Sequence, residues 1–180
     1  MRKVFLIAGL MTAFAVAVVA SSAAANFAGT WTLDKTKSQG LSPRMAGADK
    51  VTWTITQDAA TISIDTKVEG GQPPAGGGGG GMGGGRPPAG PTVYKLDGSE
   101  VTSDVTFGQM TGKQTLKATW SGDTLELSRK TTGTGPDGTE RTSTNTQKLS
   151  LSGDGKVLTA AVHSEGGRGG PSDSTLVFNK

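Results

Sequence analysis

The chain of 180 residues contains no cysteine and only one histidine. Without cysteine it can form neither a disulfide framework nor a thiolate metal site, and it has no thiol nucleophile. The one histidine, His163, falls on the polar side of a predicted strand, where it would face solvent rather than a nucleophile and an orienting acid. We therefore predict that the protein is not an enzyme, with no catalytic residue, no metal and no cofactor.

Neither sign of charge dominates, since the chain has 18 Lys and Arg and 15 Asp and Glu, which gives a net charge of +3. Arg2 and Lys3 lie in a leading segment that we expect to be removed, which leaves 16 basic and 15 acidic residues. Opposite charges also neighbour each other, as in Asp34-Lys35. Because nucleic-acid binders concentrate basic residues on one face, we expect no nucleic-acid partner.

Long hydrophobic runs are absent apart from one at the start of the chain. Arg2-Lys3 precede an uncharged run of 17 residues, Val4 to Ala20, and small residues follow up to Ala25. This order is typical of a secretory signal peptide. An uncleaved anchor is the alternative, since the run approaches the length of a spanning helix. We expect residues 1–25 to be cleaved, which predicts a secreted or periplasmic protein without a membrane span.

Helical periodicity is also scarce after residue 26, where only 41–49 could hold a short helical turn. Apolar and polar residues instead alternate, as in 51–56, which is typical of strands with one buried face. Turn residues separate these runs at hairpin spacing. The predicted strands are 27–34, 50–57, 61–68, 92–96, 99–107, 113–120, 123–132, 140–151, 156–164 and 173–179. We predict an all-β fold, an antiparallel meander of about 8–10 strands that closes into a barrel, because closure removes exposed sheet edges.

Glycine, by contrast, is abundant: the chain has 29, many of them within 70–91 and 166–171. Segment 70–91 combines glycine runs with Pro-Pro pairs and has almost nothing to bury, so we expect a flexible, disordered loop. The strands that precede it are too few to form a core of their own. We predict one domain, residues 26–180, that contains this loop.

The start of the predicted mature chain, Gly29-Thr30-Trp31, resembles the Gly-x-Trp motif of lipocalins and fatty-acid-binding proteins, in which the tryptophan plugs one barrel end. In lipocalins a basic side chain often stacks on this ring, and Lys180 is placed for that role. More specifically, the chain resembles secreted bacterial lipocalin-like proteins of uncharacterised function. The shared features are glycine-rich loops and the turns Asp34–Ser38, Tyr94–Glu100 and Trp120–Asp123. The resemblance implies a lipocalin-like or fatty-acid-binding-protein-like barrel.

Fatty-acid-binding proteins hold a carboxylate with an Arg-x-Tyr on the final strand, and they carry a two-helix lid. The matching stretch here, 174–178, contains neither arginine nor tyrosine, and 39–49 is too short for such a lid. The resemblance therefore supports the fold and does not imply fatty-acid binding.

Three tryptophans, Trp31, Trp53 and Trp120, share strand faces with aliphatic residues and are expected inside the barrel. Interior aromatic residues either fill a core or line a pocket. Our leading hypothesis is a barrel that binds a small, mainly apolar ligand lined by these three residues. The alternative is a structural or protein/glycan-interaction module of the cell envelope with a filled core, acting through exposed threonine-rich strands. The oligomeric state is not predicted.

Overall fold

The structure, a computed structural model, describes residues 24–70, 90–107, 110–135, 138–166 and 170–180. These residues form ten strands and one short helix. In chain order the elements are β1 (Gly29–Leu33), α1 (Pro43–Ala46), β2 (Lys50–Gln57), β3 (Thr61–Glu69), β4 (Thr92–Lys95), β5 (Val101–Phe107), β6 (Met110–Ser121), β7 (Thr124–Thr134), β8 (Glu140–Leu151), β9 (Val157–Glu165) and β10 (Ser172–Asn179). The all-β prediction is confirmed. Most of the predicted signal peptide and of the 70–91 loop lies outside the described residues.

All strand pairs are antiparallel and belong to one sheet, with the order β4-β3-β2-β1-β10-β9-β8-β7-β6-β5. Neighbours in this order are consecutive in the chain except at one seam, where β1 pairs with β10. The sheet curls into a nearly closed barrel, as the meander pattern predicts, and it is consistent with a lipocalin-like architecture. Strands β4 and β5 flank the remaining gap.

The alternation in sequence becomes an inside and an outside of the barrel. On β2, Val51, Trp53 and Ile55 are buried, while the threonines between them are exposed or half-buried. Direct cross-strand partners share a face of the sheet, so the same parity continues around the barrel. Burying these apolar side chains removes them from water, which is the main stabilising contribution to a fold without disulfides.

One end of the barrel, which we call the closed end, contains the β2–β3, β4–β5, β6–β7 and β8–β9 turns together with residues 24–28 and Lys180. Trp31 is fully buried there, and its Nε1–H donates to the Phe27 carbonyl oxygen at 2.8 Å. The Phe27 and Trp120 rings stack with 6.0 Å between centroids. Lys180 Nζ lies 5.0 Å from the Trp31 ring centroid. Trp31 thus closes this end, and its ring is covered by the basic side chain that the Gly-x-Trp resemblance implies.

Gly29 makes this stacking possible. A β-carbon at this position would lie 2.8 Å from Lys180 Cε, and the backbone φ of 143° is one that other residues rarely adopt. The glycine of the Gly-x-Trp motif therefore leaves room for the cation over the tryptophan ring.

The turn Asp34–Ser38 follows β1 and is hydrogen-bonded to β10, the other strand of the seam. The Asp34 carboxylate accepts hydrogen bonds from Thr36 Oγ1 at 2.6 Å and from Asn179 Nδ2 at 3.2 Å. These bonds hold the pKa of Asp34 well below its usual range. Ser38 Oγ donates to the Asp34 carbonyl oxygen at 2.7 Å and accepts from the Val177 N–H at 2.9 Å. This motif therefore fastens β1 to β10.

Helix α1 confirms the predicted short helical turn in 41–49. Ser42 caps it, since its side chain accepts from the Met45 N–H at 3.4 Å, and Pro43 occupies the first turn, where its missing N–H is not needed. Leu41 and Met45 pack against the core. Within the described part of the chain, no helix has the length and apolar character that a membrane crossing requires.

Candidate ligand-binding site

The inner wall of the barrel changes character along its axis. On β7, β8 and β9, the inward positions near the closed end are apolar and fully buried: Leu125, Leu127, Leu149, Leu158 and Ala160. Further along the same strands, polar residues occupy several inward positions and are only half-buried: Arg129, Ser143, Asn145, Gln147 and Ser164. Among the other inward positions there, Val162 is apolar and half-buried, and Thr131 and Gly133 are buried. A side chain that points inward and stays accessible to water faces space that the core does not fill. We call the region lined by these half-buried inward residues the open end. It also includes the inward residues of β10 and β3.

Cross-strand register assembles the polar wall. Arg129 lies opposite Asn145, and Asn145 lies opposite Ser164 on the next strand. Gln147 Nε2 donates to Asn145 Oδ1 at 3.0 Å, and Asn145 Nδ2 donates to Ser164 Oγ at 2.8 Å. Because buried polar groups normally carry hydrogen bonds, these bonds between amides and a hydroxyl hold the side chains of the wall in place.

Arg129 is one of two arginines at inward positions of these strands, the other being Arg141 on β8. Its direct neighbours across the strands are Leu116, which is buried, and Asn145. No described residue forms a hydrogen bond or an ion pair with its guanidinium. Tyr94, only 4% exposed, has a pKa raised by burial, and the positive charge of Arg129 acts on that pKa in the opposite direction.

The three tryptophans predicted as lining residues all lie on the inner face. Trp31 and Trp120 belong to the closed end, and Trp53 on β2 lies directly opposite Trp31 and Thr66, with its ring 4.3 Å from that of Phe178. Trp53 is 3% exposed, and its Nε1–H has no hydrogen-bond partner among the described residues. A buried indole N–H usually finds an acceptor. The role of the three tryptophans in lining a ligand stays a prediction.

Sequence reasoning did not find Arg129 or the amides of β8. A usable signal existed in the alternation of the strands. Position 129 lies on the same strand face as Leu125 and Leu127, and positions 145 and 147 lie on the same face as Leu149. Extending the alternation of inward and outward positions into the polar stretch of each strand would have placed these residues inside the barrel.

His163 lies on the outer face of β9, as the alternation predicts. Its Nδ1 is 2.7 Å from Asp173 Oδ1, and its Nε2 is 3.0 Å from Glu165 Oε1. These two contacts raise the pKa of His163 above 6.5. Within the described ranges, no three His, Asp or Glu side chains are placed to hold a metal ion.

Replacing His163 by glutamine is expected to lower stability below about pH 6 and to have less effect at about pH 9. The folded-state pKa is raised, so the protonated imidazolium stabilises the fold fully below the unfolded pKa of 6.5, and this contribution is lost as the pH rises through the folded value. Melting temperatures of both proteins across this range measure the effect. Thr159→Gln, on the outer face of the same strand, is the control. A difference between wild type and His163→Gln that grows with pH would contradict this reasoning.

No protein-family model matches the chain, and no curated protein matches it closely enough to count as a relative. The class is therefore defined by architecture alone: an all-antiparallel, nearly closed barrel.

Proposed function

We propose that the protein is a non-enzymatic, lipocalin-like barrel that binds a small, mainly apolar ligand inside its open end. The observation that supports this most is the contrast along the inner wall, where Leu127 and Leu149 are fully buried while Arg129 and Gln147 on the same strands stay accessible. Ligand sites in proteins are concave and mostly apolar, with a few polar groups that fix orientation. Trp53 and its cross-strand partner Trp31 would supply an aromatic wall, with Trp120 at the closed end.

The proposal includes export from the cell. The amino-terminal segment has the basic, apolar and small-residue regions of a signal peptide, and the resemblance is to secreted bacterial lipocalin-like proteins. The mature protein would then begin at Asn26 and act in the periplasm or outside the cell.

Native mass spectrometry of the protein recovered gently from the envelope or medium of the producing cells tests both parts. We expect the mass of residues 26–180 plus a reproducible addition of small-molecule size. A mass that includes residues 1–25 would contradict cleavage. A mass that stays unliganded after exposure to apolar small molecules would contradict the binding function.

A titration with N-phenyl-1-naphthylamine, a neutral and apolar fluorescent probe, measures the same site in purified protein. We expect saturable enhancement of probe emission with one site per chain, accompanied by quenching of tryptophan emission. Trp53→Phe should remove more of this quenching than Trp120→Phe, because Trp120 stacks on Phe27 at the closed end. Enhancement that rises linearly with probe and never saturates would count against an interior site.

The alternative, a structural or protein/glycan-interaction module of the envelope, is favoured by one observation. Strand β5 ends the sheet order, and within the described residues it pairs only with β6. An unpaired strand edge can accept a strand from another protein. A second protein in the native spectrum, without a small molecule, would favour this alternative.

A further inference from the structure

Strands β4 and β5 end the sheet order, so each has one edge without a neighbouring strand. Strand β4 runs for four residues and pairs with residues 61–64 of β3, whereas β5 runs for seven. The described residues pair β5 only with β6. An unpaired strand edge is a template for pairing with another chain. Strand β5 therefore offers the longer of the two open edges.

The register of β6 determines which backbone groups of β5 point to this open edge. Ser121 and Thr124 flank the two-residue turn between β6 and β7, so the hydrogen bond of the turn joins them. Hydrogen-bonded pairs recur at every second position, which directs the odd-numbered residues of β6 to β7 and the even-numbered ones to β5. The β5 partners of those even-numbered residues are Val101, Ser103 and Val105. The residues whose N–H and C=O groups point to the open edge are therefore Thr102, Asp104 and Thr106.

Strand β5 is accessible along this edge and on both faces. Thr102, Ser103 and Asp104 are exposed, although Ser103 lies at an inward position opposite the buried Gln114. None of residues 101–106 is buried. Within the described part of the chain, no backbone group bonds to the outer edge of β5. A strand from another chain could therefore reach this edge.

Proline limits what β4 can supply to the same edge. The Leu96 N–H donates to the Ala60 carbonyl oxygen at 2.8 Å, which directs the even-numbered residues of β4 to β3 and the odd-numbered ones to the β5 side. Pro91, directly before β4, has an odd number and no N–H to donate on that side. A strand that pairs fully with β5 is therefore better supplied by another chain.

The β5 edge is complementary to itself when two copies meet about a twofold axis, as symmetric dimers do. Antiparallel pairing can place Thr102 opposite Asp104 of the second copy, so that each exposed carboxylate meets a hydroxyl donor. The same register places Val101 opposite Val105 and Ser103 opposite its own counterpart. It also keeps the two Asp104 carboxylates from lying directly opposite each other, where like charges are destabilising.

Charge does not oppose such a contact. Lys113 Nζ lies 3.1 Å from Asp104 Oδ1 on the outer face, so each copy brings a neutral pair to the interface. Thr102 and Thr106, the other outward residues of β5, are uncharged. Edge strands that avoid pairing often carry lysine or proline, and β5 carries neither.

We propose that a second copy of the chain occupies this edge, with its β5 antiparallel to β5 of the first copy, so that the two barrels share one continuous sheet. Thr102 and Asp104 of each copy exchange backbone hydrogen bonds with Asp104 and Thr102 of the other. The inference rests on the same unpaired edge that favours the alternative function, and it names the partner. It does not depend on ligand binding.

Sedimentation velocity over a concentration series of purified protein, without ligand, tests the inference. Asp104→Pro removes a backbone N–H that points to the open edge, and it leaves the bonds between β5 and β6 in place. Asp104→Ala is the matched control, because it removes the same carboxylate and its ion pair with Lys113 but keeps the N–H. Circular dichroism and melting temperature establish that each variant is folded.

We expect wild type and Asp104→Ala to form dimers as concentration rises. Asp104→Pro should weaken dimerisation by about tenfold or more, because one N–H donor is lost from each copy. Hydrogen exchange measured residue by residue by NMR gives a second readout. The amides of Thr102 and Asp104 should exchange more slowly as wild-type protein becomes more concentrated, whereas that of Ser103, already bonded to β6, should change little.

Cross-linking carries the test if Asp104→Pro does not fold. The chain has no cysteine, so Ser103→Cys introduces a single thiol. Its counterpart in the second copy would lie across a non-hydrogen-bonded pair, at a Cα separation of about 4.5 Å that suits a disulfide. Thr134→Cys, exposed on β7 between two paired neighbours, is the control. We expect mild oxidation to link Ser103→Cys into a dimer much faster than Thr134→Cys.

Three results would overturn the inference. The first is a wild type that stays monomeric over the whole series, with Ser103→Cys linking no faster than Thr134→Cys. The second is equal dimerisation of Asp104→Pro and Asp104→Ala, which would assign the contact to another surface. The third is monomeric purified protein together with a different protein bound in cells, which would give the edge to a foreign strand. Each of these results leaves the ligand titrations unaffected, so the binding function stands or falls separately.

Discussion

Replacing Trp31 by alanine is expected to lower the free energy of unfolding by about 3–5 kcal/mol, the range for removing a large buried aromatic side chain. The ring is 0% exposed at the closed end, its N–H donates to the Phe27 carbonyl, and Lys180 covers its face. The change would also loosen Phe27, and through it the stacking on Trp120. Urea denaturation at constant pH measures the loss.

Two further variants separate the contributions of Trp31. Trp31→Phe keeps much of the buried area and removes the hydrogen bond, so it should cost less than the alanine variant. Lys180→Gln removes only the cation over the ring, an interaction of about 0.5–1 kcal/mol. A loss below about 1 kcal/mol for Trp31→Ala would be out of range for a filled core position and would show that this end is not closed as described.

Phe178→Ala is the second large effect, again with an expected loss of about 3–5 kcal/mol. Phe178 is 0% exposed on β10, where its cross-strand partners are Leu33 and Leu158. Its ring centroid is 4.3 Å from that of Trp53. The cavity left by alanine would therefore adjoin Trp53. Urea denaturation gives the stability, and the tryptophan emission of the folded variant should shift to the red if water enters.

Val177→Ala is the matched control, since this neighbouring residue is half-buried on the outer face. It should cost a small fraction of the Phe178 effect. Equal losses for the two variants would mean that β10 is not divided into an inner and an outer face at this point, which would contradict the packing of the seam.

The fold was predictable because alternation and turns are local signals. Strand β8 was expected at 140–151 and is found there, and β2 matches at 50–57. Strand β6 begins at Met110 instead of 113, since its first residues, Met110-Thr111-Gly112, carry little contrast between apolar and polar faces. The pairing of β1 with β10 could not be read from any local pattern, because it depends on how the whole sheet curls.

The site was less predictable for a related reason. Inside and outside can be distinguished in a sequence only where one face is apolar and the other polar. In the second half of β7, Arg129 faces inward and Lys130 outward, and both are basic. The contrast vanishes where inward positions are themselves polar, so patterning does not reveal the polar inward residues of the candidate site.

The seam between β1 and β10 also determines how the chain can assemble. It joins residues as distant as Ser38 and Val177, 139 positions apart, whereas every other strand pair links successive strands. On a ribosome the barrel cannot close until its last strand has emerged. One edge of β1 therefore stays unpaired through nearly the whole of synthesis. A circular permutant joined at the closed end and reopened between β4 and β5 would keep every pairing and make each one sequential. The same barrel would then fold without a long-range step.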